Sequence, residues 1–496
     1  MSKQQKHVVV IGGSVAGLGA GLALTGEGHR VTILESDASP MPESHVQAFE
    51  QWERRGSPQT RHSHALLARL RNLIRDHAPD LLAELRARGA EELPFSDMAR
   101  RLMPDAEFEP GDEDVVLLAC RRVTFEWVLR RYILESGRLD FRDGVEVTGL
   151  EAEAGDPPRV TGVRIRSADG EQRIEADLVV DASGRRSKLR HWLEAIGTPP
   201  VREESEPCGI FYTSRFYQLH DGVEPPALDG PIVGEDLGYM KIGLFPGDAR
   251  IFSITLAASP DDDAMRAVLH RPAFEAAAAS LPRVAEWVDP KVSAPISDVH
   301  AMANLRNTRR FLIEEDRPLA LGFTAIGDSL IHTNPITGRG CSLAWVGAFE
   351  LATALREHGD DPGALLLAHH AAIEREIVPW YRMQVQQDRD AVEVSQAQRR
   401  GEDPYTVVRA DGTNDPKAFM RSVLREGLIP AIRTDVHVMR RFMRIMNLLD
   451  APEDLMRDPG FFGRVVACYN TRGEREPVFQ GPRRDEMLDV IARVAA

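Results

Sequence analysis

Residues 12–17, GGSVAG, place small side chains where a backbone must turn sharply, and Glu35 adds a carboxylate a short way on. This set of residues suits a dinucleotide. Gly12 permits a tight turn out of a strand, and Gly17 lets a helix pack closely on a sheet. The free N–H groups of that helix's first turn then face a pyrophosphate. Ser14 stands at the position of the fingerprint's second glycine. It is small enough to let a phosphate approach and can donate its hydroxyl. Val15 and Ala16 complete the turn, and Glu35 is spaced to accept hydrogen bonds from an adenosine ribose. Three elements must hold these groups in place. The β-branched run Val8 to Ile11 reads as a buried parallel strand, an apolar helix follows to about Leu24, and a second strand runs from Arg30 to Leu34. Strand, helix, strand and terminal acid in register make a βαβ unit rather than a stray Gly-rich turn.

The whole chain bounds what surrounds this unit. Its 496 residues suffice for roughly two or three domains. A net charge of -15 argues against nucleic acid as a partner, which needs a basic face. Cys120, Cys208, Cys341 and Cys468 are scattered with no CxxC pair, and the fifteen histidines form no HExxH. The chain is therefore expected in a reducing cytoplasm, with no metal site. The N-terminal MSKQQK has no signal-peptide pattern, no apolar run spans a bilayer, and membrane-surface association is not expected.

Further along, RRGSPQTRHSH at 54–64 concentrates cations and imidazoles ahead of a helix carrying Leu66, Leu67, Leu70 and Ile74 on one face. His62 and His64 are of a type that touches cofactors or substrates, but from spacing alone they read as imidazoles satisfied by backbone partners. VVLLAC at 115–120 reads as a strand. Arg122 then begins a helix, where a cation opposes the dipole and needs a phosphate or a salt bridge to justify it. Residues 145–175 alternate as an antiparallel meander, and DLVVDASG at 177–184 is another buried strand running into a turn. Residues 208–219 and 239–257 alternate as a second, half-buried antiparallel sheet. The α/β pattern returns in LALGFTAIGD at 319–328, the loop to Gly340 and an apolar helix, after which the chain is helical. In VHVMRRFMRIMNLL, Arg440, Arg441 and Arg444 read as a polar face opposite an apolar one.

Three motifs in order, GGSVAG with Glu35, DASGRRS at 181–187 and GDSLIHTNPITGRG at 327–340, resemble the FAD-dependent monooxygenase superfamily built like p-hydroxybenzoate hydroxylase. SPQTRHSHALL and ACRRVTFEW are similar to segments of bacterial polyether epoxidases and squalene epoxidase-like flavoenzymes. The resemblance implies an α/β fold: a Rossmann-like FAD-binding domain with a parallel sheet, an inserted antiparallel-sheet substrate domain and a C-terminal helical region. The expected divisions are 1–198 and 313–360 for the FAD-binding domain, 199–312 for the substrate domain and 361–496 for the helices.

By the same resemblance Gly12, Ser14, Val15, Ala16 and Gly17 hold the FAD pyrophosphate and Glu35 the ribose. Arg122 lies over the phosphates and ribityl chain, Val147 offers backbone to the adenine, and Asp328 binds the ribityl hydroxyls. Pro335, Gly338, Gly340 and Cys341 flank the isoalloxazine. Two departures stand out. Ser183 replaces the aspartate that aromatic hydroxylases use in flavin and nicotinamide handling, and the histidine usual after Gly-Asp falls on Ile331, with His332 one place late. No second Gly-rich βαβ unit exists for a nicotinamide, so electrons are expected from transiently docked NAD(P)H or a partner flavin reductase. The implied activity is oxygen transfer from a flavin C4a-hydroperoxide, formed with molecular oxygen, to an apolar organic small molecule, as alkene epoxidation or hydroxylation. The rivals are a geranylgeranyl reductase-like reductase or desaturase of isoprenoid chains and a flavin-binding protein without turnover. No side chain is nominated as acid, base or nucleophile. Substrate contacts are expected from the second sheet: Tyr212, Met240 and Ile242, drawn from a set that includes Ile210, Phe211, Tyr217 and Leu244. Alternation allows only one of each neighbouring pair to face the pocket.

Overall fold

The computed structural model describes residues 5–228, 233–475 and 481–495. Its centre is a five-stranded parallel sheet ordered Phe323–Ala325, Leu178–Asp181, His7–Ile11, Arg30–Leu34, Asp140–Arg142. His7–Ile11 is central and carries no polar residue after His7 because both of its faces are covered. Val8 and Val10 join the core beneath the helices Val15–Gly26 and Arg122–Ser136, while Val9 and Ile11 join the opposite core with Trp192 and the meander of residues 146–175. Complete two-sided burial is what a continuous β-branched run in a parallel sheet requires.

The helix Val15–Gly26 packs along the later helix Gly340–His358. The Trp345 indole N–H donates to the Val15 carbonyl at 3.1 Å, and a Cβ on Gly19 would lie 2.7 Å from that ring nitrogen. Gly19 is therefore a close-approach residue. The helix that follows residues 327–340 is thereby locked onto the helix that follows residues 12–14.

A six-stranded antiparallel sheet is inserted between Leu178–Asp181 and Phe323–Ala325. Its central strands are Met240–Pro246, Ile251–Ala258 and Phe211–Leu219. Its two faces differ, and here one expectation is corrected. Met240, Ile242 and Leu244, with Phe211 and Tyr217, lie in a core shared with the helices Arg271–Ala279 and Arg484–Ala495. As substrate contacts Met240 and Ile242 were assigned to the wrong face, because the apolar side of this sheet is occupied by helices. Tyr212, Ser214 and Phe216 point the other way, and Tyr212 and Ser214 sit across from Ala257 and Thr255.

Arg440 is corrected too. In the helix Val436–Met446 it is buried and pairs with Asp112 at 2.8 Å, while Arg441 and Arg444 pair with Asp450. The cations of this helix serve internal ion pairs. No helix among the described residues is long and apolar enough to cross a membrane.

One carboxylate ties the inserted sheet to the first domain. Asp248, in the turn between Met240–Pro246 and Ile251–Ala258, is fully buried. It accepts from the Arg121 backbone N–H at 2.8 Å, from Arg121 Nε and Nη2 at 3.0 and 2.6 Å, and from the Thr124 hydroxyl at 2.9 Å. Burial would raise its pKa, but Arg121 and Thr124 outweigh that and hold it below 3.8. Asp248→Ala leaves the buried Arg121 guanidinium unpaired, and the expected destabilisation is about 3–5 kcal/mol by chemical denaturation. Because the folded-state pKa is depressed, the stability Asp248 contributes is complete above pH 3.8 and is lost as the pH falls through the lower native value. The variant's stability curve should therefore be flatter than the parent's below that pH.

Candidate functional site

The turn after His7–Ile11 has the geometry its glycines suggested. Gly12 adopts φ 105°, and a Cβ there would lie 2.6 Å from the Ala182 carbonyl oxygen. A Cβ on Gly17 would sit 1.8 Å from the Gly12 carbonyl oxygen, so no other residue fits without moving backbone. Ser14 is the N-cap, yet its side chain makes no capping bond. The hydroxyl instead donates to Glu126 at 3.1 Å and accepts from Arg122 Nη2 at 3.1 Å and from Ser57 at 2.9 Å. The first-turn N–H groups of Val15, Ala16 and Gly17 are thereby left for a ligand.

Glu35 ends the second strand, buried, accepting from the Gly13 N–H at 3.1 Å, the Asp37 N–H at 2.9 Å and Arg54 Nη2 at 3.1 Å. Arg54 also pairs with Asp37 at 3.1 Å and Glu126 at 2.8 Å. Arg122 is buried at the start of its helix, pairs with Glu126 at 2.6 Å, and has an Nε with no partner among the described residues. The salt bridge and the spare N–H coexist in one guanidinium. Arg54, Ser57 and Glu126 were not singled out in the sequence. Glu126 lies four residues past Arg122 on one helix, and that spacing was the available signal.

Residues of the return segment meet this first group. Asp181 is buried and accepts from the Ser183 N–H and hydroxyl, the Ser187 hydroxyl and Ser329 at 3.2 Å. Ser183, in the aspartate's usual place, thus closes its own turn, while Asp181 and the Gly184 N–H (2.8 Å) hold Ser329. The Asp328 carboxylate accepts no hydrogen bond among the described residues, and His332 Nε2 lies 3.9 Å from it. His332 Nδ1 faces the Arg306 carbonyl at 2.6 Å, which fixes the ring.

Pro335–Thr337 is a single 3-10 turn capped by Asn334, and Gly338 has φ 69°. A Cβ on Gly340 would meet only open space. Cys341 follows in the first turn of the helix, its thiol pKa raised by burial and partly offset by the neighbouring Arg122. Val147 is buried in Glu146–Glu153, just past Val145, whose N–H donates to the Glu35 carbonyl.

The loop is braced from behind by the helix Val378–Arg399, which the sequence did not connect with it. Asp388 accepts from Asn334 at 2.9 Å, Asn307 at 2.7 Å and Gln384 at 2.9 Å, and Gln384 in turn accepts from Thr337 at 3.0 Å. Arg339 is buried, donates to Gln384 at 3.3 Å and stacks over Trp380, with burial lowering its pKa to about 10.

Residues 5–206 match the family model for the FAD binding domain. Those residues form an FAD-binding domain. The fold of the chain is shared with solved flavin-dependent enzymes. A relative in Mycobacterium tuberculosis, protein Rv3254, is 28% identical over 370 residues, covering 71% of this chain and 73% of the relative. Among solved structures the chain is similar in fold to the anhydrotetracycline hydroxylase OxyS of Streptomyces rimosus. That match has 17% identity and TM-score 0.55, over 90% of this chain and 77% of OxyS. P. aeruginosa PqsL, solved with 2-aminobenzoylacetate, matches at 17% identity and TM-score 0.54, over 80% of this chain and 98% of PqsL. The flavin-dependent halogenase CmlS matches at 17% identity and TM-score 0.54, over 99% of this chain and 77% of CmlS.

The residues present fit FAD. Uncapped helix N–H groups and the spare Arg122 Nε suit its diphosphate, Asp328 has free acceptor capacity for hydroxyls, and the backbone at Gly340 is open to a ligand. Asp328→Ala should keep the fold and weaken FAD retention. Loss of a charge-assisted hydrogen bond of about 1.5–3 kcal/mol corresponds to roughly a tenfold to hundredfold rise in Kd, read from flavin fluorescence during dilution.

Proposed function

We propose that the chain is a monooxygenase that places one atom of molecular oxygen into an organic small molecule, by epoxidation or hydroxylation. The substrate is held between the loop 335–341 and the Tyr212 face of the inserted sheet. The observation that carries this reading is the meeting of those two surfaces: Ile336 packs against the cluster of Cys208, Ile210, Tyr212, Ala257, Met302 and Leu305. FAD, once reduced, supplies the activation of oxygen; two electrons and two protons convert the second oxygen atom to water.

This chain's residues bind, orient and exclude water. Gly12 to Gly17, Glu35 and Arg122 take the adenosine diphosphate half, with Val147 backbone beside the adenine. Asp328 takes the ribityl chain, and Pro335, Gly338, Gly340 and Cys341 line the ring. N–H groups at the start of Gly340–His358 suit negative charge on a reduced ring. Tyr212 is held by its hydroxyl, which donates to Met302 Sδ at 3.0 Å, and gives the substrate space an apolar wall. The proposed units are 1–198 with 313–360 for FAD, 199–312 for the substrate and 361–496 as the brace behind the flavin loop. NAD(P)H docking transiently, or a partner reductase, supplies the electrons. The four free cysteines accord with a reducing cytoplasm.

The test is anaerobic reduction of the FAD-loaded protein by NADH, NADPH or dithionite, followed by 18O-labelled oxygen in the presence of a panel of alkenes and arenes. One labelled oxygen per product molecule is expected. Reoxidation with stoichiometric hydrogen peroxide and no labelled product from any panel member would count against oxygen transfer. Oxygen-independent saturation of an alkene would favour a reductase.

A further inference from the structure

Beside the apolar wall that Tyr212 gives, the same sheet face carries the polar groups of Ser214 and Thr255. His62 is 4% exposed and sits beneath this face. Its ring is edge-on to Tyr212 at 5.1 Å, and its Nδ1 lies 3.2 Å from Ser214 Oγ. The same segment touches the flavin loop, since a Cβ on Gly338 would stand 3.4 Å from Ala65. His62 therefore lies where the two surfaces of the proposed substrate space meet.

Hydroxyl donors fix the imidazole's tautomer. Thr255 Oγ1 donates to Ser63 Oγ at 2.8 Å and so has no proton left for Ser214. Ser214, 3.1 Å from Thr255, must then be the donor in that pair. With its one proton committed, Ser214 Oγ can only accept from His62, as it also accepts from the Ser63 N–H at 3.5 Å. The proton of the neutral ring is thus on Nδ1, and Nε2 carries a lone pair with no hydrogen-bond partner among the described residues. The ring stays neutral at all ordinary pH. Burial, reinforced by His64, His300 and Arg185, pushes its pKa down to about 3.

We propose that His62 is a specificity-determining substrate contact, whose Nε2 accepts a hydrogen bond from an O–H or N–H group of the substrate. This deepens the monooxygenase reading and rests on its placement of the substrate space. The substrate class becomes an otherwise apolar molecule bearing a hydrogen-bond donor, not a bare hydrocarbon. Ser214 is a positioning residue, acting only through the imidazole.

Geraniol and geranyl methyl ether test this, because both carry the same alkenes and an acceptor oxygen but only the alcohol donates. Their binding to the oxidised, FAD-loaded protein is followed by the change in flavin absorbance. The parent should bind geraniol roughly fivefold to tenfold more tightly than the ether. His62→Phe should erase that ratio. Ser214→Ala, which keeps the imidazole, should shrink it and move the 15N signature of His62 away from the Nδ1–H form, with the melting temperature as control. Equal binding of the two ligands by the parent, a ratio that survives in His62→Phe, or binding of neither ligand would overturn the proposal. Oxygen labelling is scored separately. A His62-dependent ratio without labelled product refutes oxygen transfer and leaves the contact standing, while labelled product without the ratio does the reverse.

Discussion

Glu126 is a fully buried carboxylate, and the cofactor half of this protein is arranged around the need to keep it charged. Isolated burial of an anion is prohibitive, so the charge requires partners. Burial pushes its pKa up; Arg122 and Arg54 outweigh that and hold it below the ordinary value. Each partner brings a different stretch of chain. Arg122 starts the helix that carries Glu126 itself, Arg54 delivers the loop after the second strand together with Glu35 and Asp37, and Ser14 fixes the first turn of the fingerprint helix. Three segments distant in sequence are thus registered against one another before any ligand contributes.

That arrangement spends the charges of the side chains on one another and leaves the helix end free. Arg54 and Arg122 pair with Glu35, Asp37 and Glu126, and the helix end adds partial positive charge that no side-chain cap among the described residues takes up. The return segment is held differently, by neutral amides and one carboxylate: Asn307, Asn334, Gln384 and Asp388. That brace of three amides around one carboxylate stands behind the loop 335–341, next to the buried Arg339.

The βαβ unit was legible because its information is local. A β-branched run, a turn that tolerates only small residues and an acid at a set distance all lie within residues 8–35. The order of elements and the parallel and antiparallel character of the two sheets followed from periodicity for the same reason. What could not be read was the sign of an alternation. Period two says that Tyr212 and Phe211 face opposite ways, and only the helices Arg271–Ala279 and Arg484–Ala495, brought in by the fold, decide that Met240 and Ile242 belong to the core. Arg440 was misplaced likewise, since its partners Asp112 and Glu109 lie far away in sequence. Asp388 is a single acid in a polar helix until the fold puts Asn334 against it.

The locking of Trp345 onto Val15 has a consequence for the order in which this protein is made. The edge strand Phe323–Ala325 and the helix that bears Trp345 leave the ribosome only after the whole inserted sheet has been synthesised. Until then Leu178–Asp181 ends the parallel sheet with an unpaired edge, and the apolar side of Val15–Gly26 around Gly19 lacks its cover. Exposed edges and uncovered apolar faces are open to pairing with other chains. The parallel sheet and the cover over Gly19 are thus completed from the late part of the chain, so the first half of the fold cannot close on its own.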